Sequence, residues 1–346
     1  MAMLSRHHQF STDSGDGAIQ SEICGPSFLH YAERIDDGDT VIVYVSFDSL
    51  YPVVVKRGQT VSMRYGALRH EFIIGKPWGS RVSATAGYVW LLRPSSELWT
   101  RCLPKRTQII YTPDIGMILQ MLDVKPGSVI CESGTGSGSL THALGMAVYP
   151  SGHIYTHDIE ESRIRKIEEE FRDHGLHTVI TAMVQNVCEE GFFVQNACDG
   201  VFLDVPAPWE AIPYAAAAIS FKRGGRLVSF SPCIEQVQRT CAVMRAMGFI
   251  NVETVEIVNR TYRTTEFHKQ SLADFEKNGD NTTVVVKDRN RKRKLEHSVS
   301  SANSDDSALW NSTVINAQVF PATQPTHTSY ITHATMLPRP DQADML

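Results

Sequence analysis

The chain has 346 residues, of which 42% are hydrophobic and 21% charged, and its formal net charge is −5 at pH 7. This length allows two domains with a sizeable core, and the slight acidity argues against a protein that coats nucleic acid by its bulk charge. Seven cysteines without a C-x-x-C pair exclude a complete disulfide framework and show no zinc spacing, so we expect a reducing compartment and no metal. No apolar run approaches the roughly 20 residues of a membrane span, so we expect no membrane partner.

The first 100 residues divide into two parts. Residues 1–27 are polar and lack any period, which predicts a disordered leader. Residues 28–100 carry short β-rich runs separated by glycines, which predicts a small all-β, barrel-like domain. Residues 94–103 read as a connector. The β-rich runs are Val41–Val45, Tyr51–Val55, Val61–Tyr65, Phe72–Ile74 and Tyr88–Leu92.

Strands and helices alternate in residues 101–336, which predicts a Rossmann-like α/β domain with a parallel sheet covered on both faces. Residues 270–326 interrupt the alternation, and we expect a flexible insertion there. Six basic residues within positions 287–294 could be a nuclear import signal, an RNA-touching loop or a solvated charge run. Thr328–Ala334 then returns as the last strand, and residues 337–346 form a frayed tail. The predicted strands are 128–130, 154–157, 179–184, 200–203, 226–230 and 252–258, and the predicted helices are 114–122, 160–174, 209–221 and 234–247.

A glycine motif lies between the first predicted strand of this domain and the helix that follows. It reads Glu132-x-Gly134-x-Gly136-x-Gly138, and such a turn is expected to offer unpaired backbone N–H groups to a ligand. A dinucleotide site needs a third glycine where Ser139 stands. The spacing resembles the first motif of class I methyltransferases that use S-adenosylmethionine; a dinucleotide site and an ordinary Gly/Ser turn remain alternatives.

Four polar residues lie at predicted strand ends, namely Asp158, Asn186, Asp204 and Ser231. Ligands in parallel sheets bind beyond the carboxyl ends of the strands, so we expect one shared site. Asp158 can accept hydrogen bonds from ribose hydroxyls or cap the next helix. Arg163 can pair with the cofactor or with Glu160.

A second motif follows Asp204. Two prolines and an aromatic residue, Pro206, Pro208 and Trp209, could wall a pocket for a nitrogenous base, or they could simply begin a helix. Ser231-Pro232-Cys233 can support the same pocket. We expect Cys233 to be a buried thiol rather than a nucleophile.

Long segments of the chain closely resemble the catalytic subunits of eukaryotic tRNA (adenine-N1)-methyltransferases, which modify adenine 58 in the T loop. The segments are Cys131–Ser139, Val201–Ala211, Ser229–Thr240, Pro104–Tyr111 and Gly66–His70. The resemblance covers roughly residues 28–260 and the last strand. It implies S-adenosyl-L-methionine as methyl donor, tRNA as substrate, nuclear localisation, and a heterotetramer of two catalytic and two non-catalytic paralogous chains. The intact glycine motif and Asp204 imply the catalytic member.

The resemblance also implies residue roles. Asp204 is the catalytic residue. The cofactor contacts are Ile110, Gly134, Gly136, Ser137, Gly138, Asp158, Arg163, Asn186, Val187 and Asp204. The RNA contacts are Val45, Ser46, Phe47, Arg64, Tyr65, Gln108, Tyr111, Thr112, Pro206, Pro208, Trp209, Ser231, Pro232 and Gln236. The family often has Glu at position 158 and Asp at position 186, which concerns cofactor affinity.

Two other functions compete with this one. A non-catalytic RNA-binding scaffold could retain the fold without the reaction. An NAD oxidoreductase would use the same sheet, but Ser139 disfavours it.

Overall fold

The computed structural model describes residues 28–29, 32–259, 261–268, 313–320 and 329–339. The predicted leader, the basic run and all but the first residues of the predicted tail lie outside this range. The chain divides into two compact units, Met1–Val255 with Ser329–Leu346, and Glu256–Thr328. No helix among the described residues is both long and apolar enough to cross a membrane.

The N-terminal part is an antiparallel β module with six strands. Four of them form a sheet in the order β2-β1-β6-β5, and β3 pairs with β4. A core of Val41, Val43, Leu68, Val89 and Leu91 fills one side of the four-stranded sheet. The strands are β1 (Thr40–Ser46), β2 (Ser49–Val54), β3 (Thr60–Met63), β4 (Gly66–Arg69), β5 (Arg81–Ala84) and β6 (Gly87–Leu92).

One predicted strand of this module is wrong. Residues His70–Phe72 form a short 3₁₀ helix, and the backbone N–H of Ile73 bonds to the carbonyl of His70. The apolar run Phe72–Ile74 therefore lies in a turn, from which Ile73 is buried in the core. The short strands β4 and β5 have the sequences GALR and RVSA. Neither contains an apolar run, so the sequence did not predict β5 or the correct bounds of β4.

The predicted connector at 94–103 contains a helix, α1 (Ser96–Cys102), which the sequence analysis missed. Ser95 caps α1, because its hydroxyl accepts the N–H of Leu98 at 3.2 Å. Trp99 packs with Phe28, Ile42 and Leu103 in a core of its own. Helix α1 therefore covers part of the second face of the N-terminal sheet.

The rest of the chain alternates as predicted. Its helices are α2 (Thr112–Met121), α3 (Ser139–Val148), α4 (Glu161–Asp173), α5 (Pro208–Ala218) and α6 (Ile234–Ala246). Its strands are β7 (Val129–Ser133), β8 (His153–Asp158), β9 (Ile180–Val184), β10 (Gly200–Leu203), β11 (Gly225–Ser231), β12 (Ile250–Val255), β13 (Thr261–His268), β14 (Thr313–Phe320) and β15 (Tyr330–Met336).

Seven of these strands form one sheet in the order β12-β15-β11-β10-β7-β8-β9. Strands β7 to β11 are parallel, and β15 lies antiparallel between β11 and β12. The chain moves from β7 to one side through β8 and β9, and then returns to the other side at β10. Ligands of doubly wound sheets bind at such a switch point, which here falls between the carboxyl ends of β7 and β10.

The second unit contains an antiparallel pair of strands. Strand β14 pairs with β13, from Thr261 opposite Phe320 to His268 opposite Thr313. Residues 313–320 lie within the predicted insertion and form a strand that the sequence analysis did not predict. β-Branched and apolar residues make up most of this segment, TVINAQVF, and such a composition favours a strand.

Candidate active site

The loops that follow β7 and β10 are in direct contact. These strands are parallel neighbours, with Ser133 opposite Leu203, and the N–H of Asp204 donates to the carbonyl of Ser133 at 2.9 Å. Gly134 has a φ of +89°, and a Cβ there would collide with the backbone carbonyl of Asp204. The glycine loop and the Asp204 loop therefore meet at one place, as the sequence predicts.

Two adjacent cavities open beside this contact, one of about 170 Å³ and one of about 370 Å³. Nine of the predicted cofactor residues line them. Ile110, Gly136 and Ser137 line the first, Asn186 and Val187 line the second, and Gly134, Asp158, Arg163 and Asp204 line both. Gly138 lines neither; it caps α3 with a φ of +77°. The two cavities form one cleft around the carboxyl ends of β7, β8 and β10.

The backbone N–H groups of the glycine loop are bonded within the protein. Gly134 donates to the carbonyl of His157 at 2.9 Å, Gly136 to Oδ2 of Asp158 at 3.0 Å, and Gly138 to the carbonyl of Thr135 at 2.9 Å. The expectation that this turn offers unpaired N–H groups was wrong for these three glycines. A pyrophosphate cradle needs those donors to face the ligand, so this observation disfavours the dinucleotide alternative.

Three carboxyl groups line the first cavity. Burial raises the pKa of Glu132 to about 8, and burial together with the nearby charge of Asp158 raises the pKa of Asp204 to about 6. The carboxylate of Asp158 is ion-paired with Arg163 at 2.6 Å. Both shifts arise mainly because burial disfavours the charged form of a carboxyl group. A cationic ligand would favour the ionised carboxylates, whereas the phosphates of a dinucleotide would oppose them.

The carboxylate of Asp158 supports both the glycine loop and the backbone before α4. Its carboxylate accepts the N–H of Gly136 and, at 3.1 Å, the N–H of Glu160, the residue that precedes α4. It also accepts from the guanidinium of Arg163, so the described side-chain partner of Arg163 is Asp158 rather than Glu160. An ionised carboxylate offers about four acceptor positions. One position therefore remains for a ligand hydroxyl.

A strap formed by residues 105–111 covers the glycine loop. The hydroxyl of Ser137 accepts the backbone N–H groups of Arg106 at 2.8 Å and Thr107 at 3.0 Å, and Ser139 donates to the carbonyl of Ile110 at 2.9 Å. Arg106 is ion-paired with Glu170 on α4. Gln108 and Ile110 consequently line the first cavity. The hydroxyl of Ser137 is already engaged by this strap.

Asn186 lies in the loop after β9. Its side-chain oxygen accepts the N–H of Cys188 at 3.1 Å, which forms a local Asx turn. Val187 is buried behind it. Asn at position 186, where the family often has Asp, thus still provides a side-chain oxygen. This oxygen stabilises the loop that forms part of the wall of the second cavity.

The predicted base pocket is partly assembled. Pro206 lines the second cavity, and Gln236 donates to its carbonyl at 3.0 Å, which joins the loop after β10 to the first turn of α6. Trp209 lies under the guanidinium of Arg239 at 5.0 Å. Cys233 is exposed at the start of α6, so the expectation of a buried thiol was wrong. The remaining predicted residues here, which are Pro208, Trp209, Ser231, Pro232 and Gln236, line neither cavity.

Most of the predicted RNA contacts before α2 do not line these cavities. Phe47 is 72% exposed and carries the guanidinium of Arg101 at 4.5 Å from its ring centroid. Tyr111 is exposed on the strap beneath the Lys105 amine, at 5.2 Å. Neither cavity is lined by the predicted contacts Val45, Ser46, Phe47, Arg64, Tyr65, Tyr111 or Thr112.

Thr107 and Ile159 are among the cleft residues that the sequence did not predict. Thr107 lines the first cavity, and a Cβ on Gly136 would meet its hydroxyl at 2.9 Å. Ile159 is 72% exposed and lines the second cavity. Two features of the sequence indicate these positions. Thr107 lies in the segment Pro104–Tyr111, which resembles the family, and Ile159 directly follows Asp158.

Three comparisons with known sequences agree on a family. A family model described as the tRNA methyltransferase complex GCD14 subunit matches residues 87–336. The chain is 35% identical over 339 residues to the tRNA (adenine(58)-N(1))-methyltransferase catalytic subunit TRM61 of Candida albicans, covering 90% of this chain and 99% of that relative. It is 42% identical over 244 residues to the protein of the same name from Cryptococcus neoformans, covering 70% of this chain and 56% of that one.

Solved structures confirm the predicted fold class. A SAM-dependent O-methyltransferase from Thermotoga maritima has a TM-score of 0.65 at 25% identity, covering 88% of this chain and 95% of that one. The tRNA (m1A58) methyltransferase TrmI from Aquifex aeolicus has a TM-score of 0.59 at 18% identity, covering 88% and 99%. Since the family model spans most of the sequence and the first relative matches almost end to end, this chain belongs to the family of tRNA methyltransferase complex GCD14 subunits.

Proposed function

We propose that this chain is the catalytic subunit of a tRNA (adenine(58)-N(1))-methyltransferase, transferring a methyl group from S-adenosyl-L-methionine to N1 of adenine 58 in the T loop. One observation carries the proposal: the glycine loop and the Asp204 loop are in contact at the switch point of the sheet, beside a cleft. The reaction is the one named for the relatives. The residues that line the cleft are suited to that reaction.

The cleft suits S-adenosylmethionine because carboxyl groups line it. The molecule carries a sulfonium and an ammonium group, and Glu132, Asp158 and Asp204 line the first cavity. Asp158 would hold the ribose, the glycine loop would pack against the amino-acid part, and Asn186 and Val187 would border the base. When bound, the cofactor supplies an electrophilic methyl group. No protein nucleophile is required, because adenine N1 has its own lone pair.

Asp204 is the residue of this chain that acts on the target base. Its carboxylate stands at the junction of the two cavities. There it would orient the exocyclic amine of the adenine and offset the positive charge that develops on the ring. The neighbouring Pro206 would wall the flipped base. Positioning of the two reactants by these loops supplies most of the rate.

The pH dependence of the reaction should report the ionisation of Asp204. Because its pKa is raised to about 6, the carboxylate form dominates above that pH and is lost below it. We expect kcat/KM for methylation to be level near pH 7.5 and to fall by about tenfold per pH unit below 6. Initial rates between pH 5 and 8 measure this profile. A profile that stays level down to pH 5 would contradict the role.

The function is tested with tRNA transcripts that lack modification. The chain is co-expressed with its non-catalytic paralogue, and N1-methyladenosine is quantified by mass spectrometry. We expect one methyl group per tRNA with adenine at position 58 and none on a transcript with uridine there. Methylation of both transcripts, or of neither, would overturn the proposal. Full activity of the chain without the paralogue would remove the need for a complex.

The scaffold alternative makes a different prediction about the cofactor. A scaffold that merely retains the fold would give no heat with S-adenosylmethionine in calorimetry. The open cleft and the carboxyl groups in its wall favour the enzyme.

We also propose the assembly and location that the resemblance implies. The family description names a complex, which supports a paralogous partner. A heterotetramer of two catalytic and two non-catalytic chains is tested by light scattering of the co-expressed protein. The basic run at positions 287–294 supports nuclear localisation, which imaging of a variant with neutral residues there would test.

A further inference from the structure

Two buried histidines lie behind the glycine loop, and the proposed reaction uses neither of them. His142 on α3 is fully buried, and His174, the residue at the end of α4, is 3% exposed. Nε2 of His142 lies 2.9 Å from Nδ1 of His174. Burying polar groups is costly unless they are hydrogen-bonded, so the partners of this pair indicate what it holds in place.

His142 bonds directly to the glycine loop. Its Nδ1 lies 2.6 Å from the carbonyl oxygen of Gly138, which also accepts the backbone N–H of His142 at 3.0 Å. The same Nδ1 lies 3.4 Å from the position that a Cβ on Gly138 would occupy. Gly138 has a φ of +77° and is the last residue before α3. The ring of His142 thus holds the residue at which the glycine loop becomes a helix.

The hydrogen bonds assign the protons of the pair. A carbonyl oxygen can only accept, so Nδ1 of His142 carries a hydrogen and donates it to Gly138. In the neutral ring Nε2 is then an acceptor, so Nδ1 of His174 donates to it. Burial lowers the pKa of His142 to about 4 and the pKa of His174 to about 2, so both rings are neutral near pH 7. His174 therefore selects the tautomer of His142 that holds Gly138.

Aromatic rings pack around the pair. Phe28 stacks on His174 with ring centroids 4.2 Å apart, and Trp99 of α1 meets His174 edge-on at 4.6 Å. Phe171 lies 5.2 Å from His142. Side chains in a close-packed core of this kind do not turn without displacing their neighbours. The two imidazoles are consequently held in the orientation that their hydrogen bonds need.

A second connection starts from the same turn of α4. The carboxylate of Glu170, whose carbonyl accepts the N–H of His174, is ion-paired with Arg106 of the strap. The backbone N–H of Arg106 donates to the hydroxyl of Ser137 at 2.8 Å. Ser137 and Gly138 are consecutive residues. Two neighbouring residues of the glycine loop are thus connected to the last turn of α4, each through one intervening residue.

We propose that the last turn of α4 positions the glycine loop for the cofactor, and that it acts through His142 and Arg106. Both are positioning residues, because neither lines a cavity, whereas Gly136 and Ser137 line the first one. A shift at the end of the loop would move that wall of the cavity. This inference rests on the proposed function and concerns the half of the cleft that binds the methyl donor.

Two variants of His142 separate its bond to Gly138 from its place in the core. The amide of asparagine reaches the position of Nδ1 and can keep the bond, whereas the amide of glutamine reaches the position of Nε2 and loses it. Both variants remove the ring, so both should lower the unfolding temperature similarly. We expect His142→Gln to raise the Kd of S-adenosylmethionine roughly three- to thirtyfold, the range for residues that act through packed neighbours, and His142→Asn to change it less than about twofold.

Calorimetry on the complex with the co-expressed paralogue measures these Kd values. In His142→Gln the KM for S-adenosylmethionine should rise with Kd, while kcat at saturating cofactor and the KM for tRNA stay unchanged. A general loss of folded protein would instead lower the apparent kcat. This difference separates positioning of the loop from a purely structural role.

Glu170→Gln tests the second connection. It weakens the ion pair with Arg106, and we expect the Kd of S-adenosylmethionine to rise within the same range of roughly three- to thirtyfold. Glu168→Gln is the matched control, since Glu168 lies on the same helix but pairs with Arg172 at 3.8 Å rather than with the strap. This control should leave the Kd unchanged. Because the Glu170 side chain is only partly buried, its variant also decides if the His142 variants do not fold.

Equal cofactor Kd values for His142→Gln and His142→Asn would overturn the role of His142. An unchanged Kd in Glu170→Gln would overturn the role of Arg106. Calorimetry with S-adenosylmethionine needs no tRNA, so these results do not depend on the methylation assay. A wild-type complex that binds the cofactor but does not methylate adenine 58 would contradict the proposed function and leave the positioning of the glycine loop standing.

Discussion

Replacing Asp204 with asparagine should lower kcat for methylation by roughly 10²- to 10⁴-fold while leaving the affinity for S-adenosylmethionine within a few fold. Asparagine keeps the size of the side chain and the backbone bond to Ser133. It removes the negative charge that would offset the charge developing on the adenine. Single-turnover methylation and calorimetry with the cofactor separate the two effects.

The matched control for this variant is Glu210→Gln. Glu210 also lines the second cavity, but it is exposed on the first turn of α5. Water already screens an exposed carboxylate, so this variant should keep nearly full activity. Asp204→Asn should also lose the fall in rate below pH 6. Full turnover by Asp204→Asn would refute the assignment of this residue.

Replacing Gly134 with alanine should abolish cofactor binding and destabilise the protein. The φ of +89° alone costs a residue with a Cβ about 1–3 kcal/mol. The added methyl would also press on the carbonyl of Asp204, and backbone on both sides leaves little room to yield. The two loops would separate, which changes the cleft from both sides. Calorimetry and thermal unfolding measure the two losses.

Gly58→Ala distinguishes strain from collision. Gly58 has a φ of +82°, similar to that of Gly134, but no atom lies within 4 Å of a Cβ placed there. This variant should show a comparable backbone cost and unchanged cofactor affinity. If Gly134→Ala bound S-adenosylmethionine as tightly as the wild type, the close contact between the two loops would not be needed for cofactor binding.

The sequence predicted that the three loops meet because they follow regular strands. Hydrophobic runs located β7, β8 and β10, and parallel pairing then necessarily brings Gly134, Asp158 and Asp204 to one edge. What the pattern could not show was where polar atoms find their partners. The N–H of Gly136 and the hydroxyl of Ser137 are satisfied by Asp158 and by the strap, each more than 20 positions away.

The missed elements share a different cause. Helix α1 is seven residues long, so its buried Trp99 did not establish a helical period. The run Phe72–Ile74 is apolar because Ile73 fills the core from a turn. In each case the local structure depends on packing against elements that are distant in the sequence. The sequence of a few neighbouring residues does not show that packing.

Strand β15 has a consequence for how the protein is made. It hydrogen-bonds to both β11 and β12 and lies between them, although residues 256–329 are synthesised in the interval. Until the ribosome has released residue 336, the nascent chain exposes two strand edges with no partner. A premature stop codon just before Tyr330 would therefore remove an inner strand of the sheet rather than a terminal extension. Transcripts carrying such a stop should yield an aggregating translation product instead of a shortened enzyme.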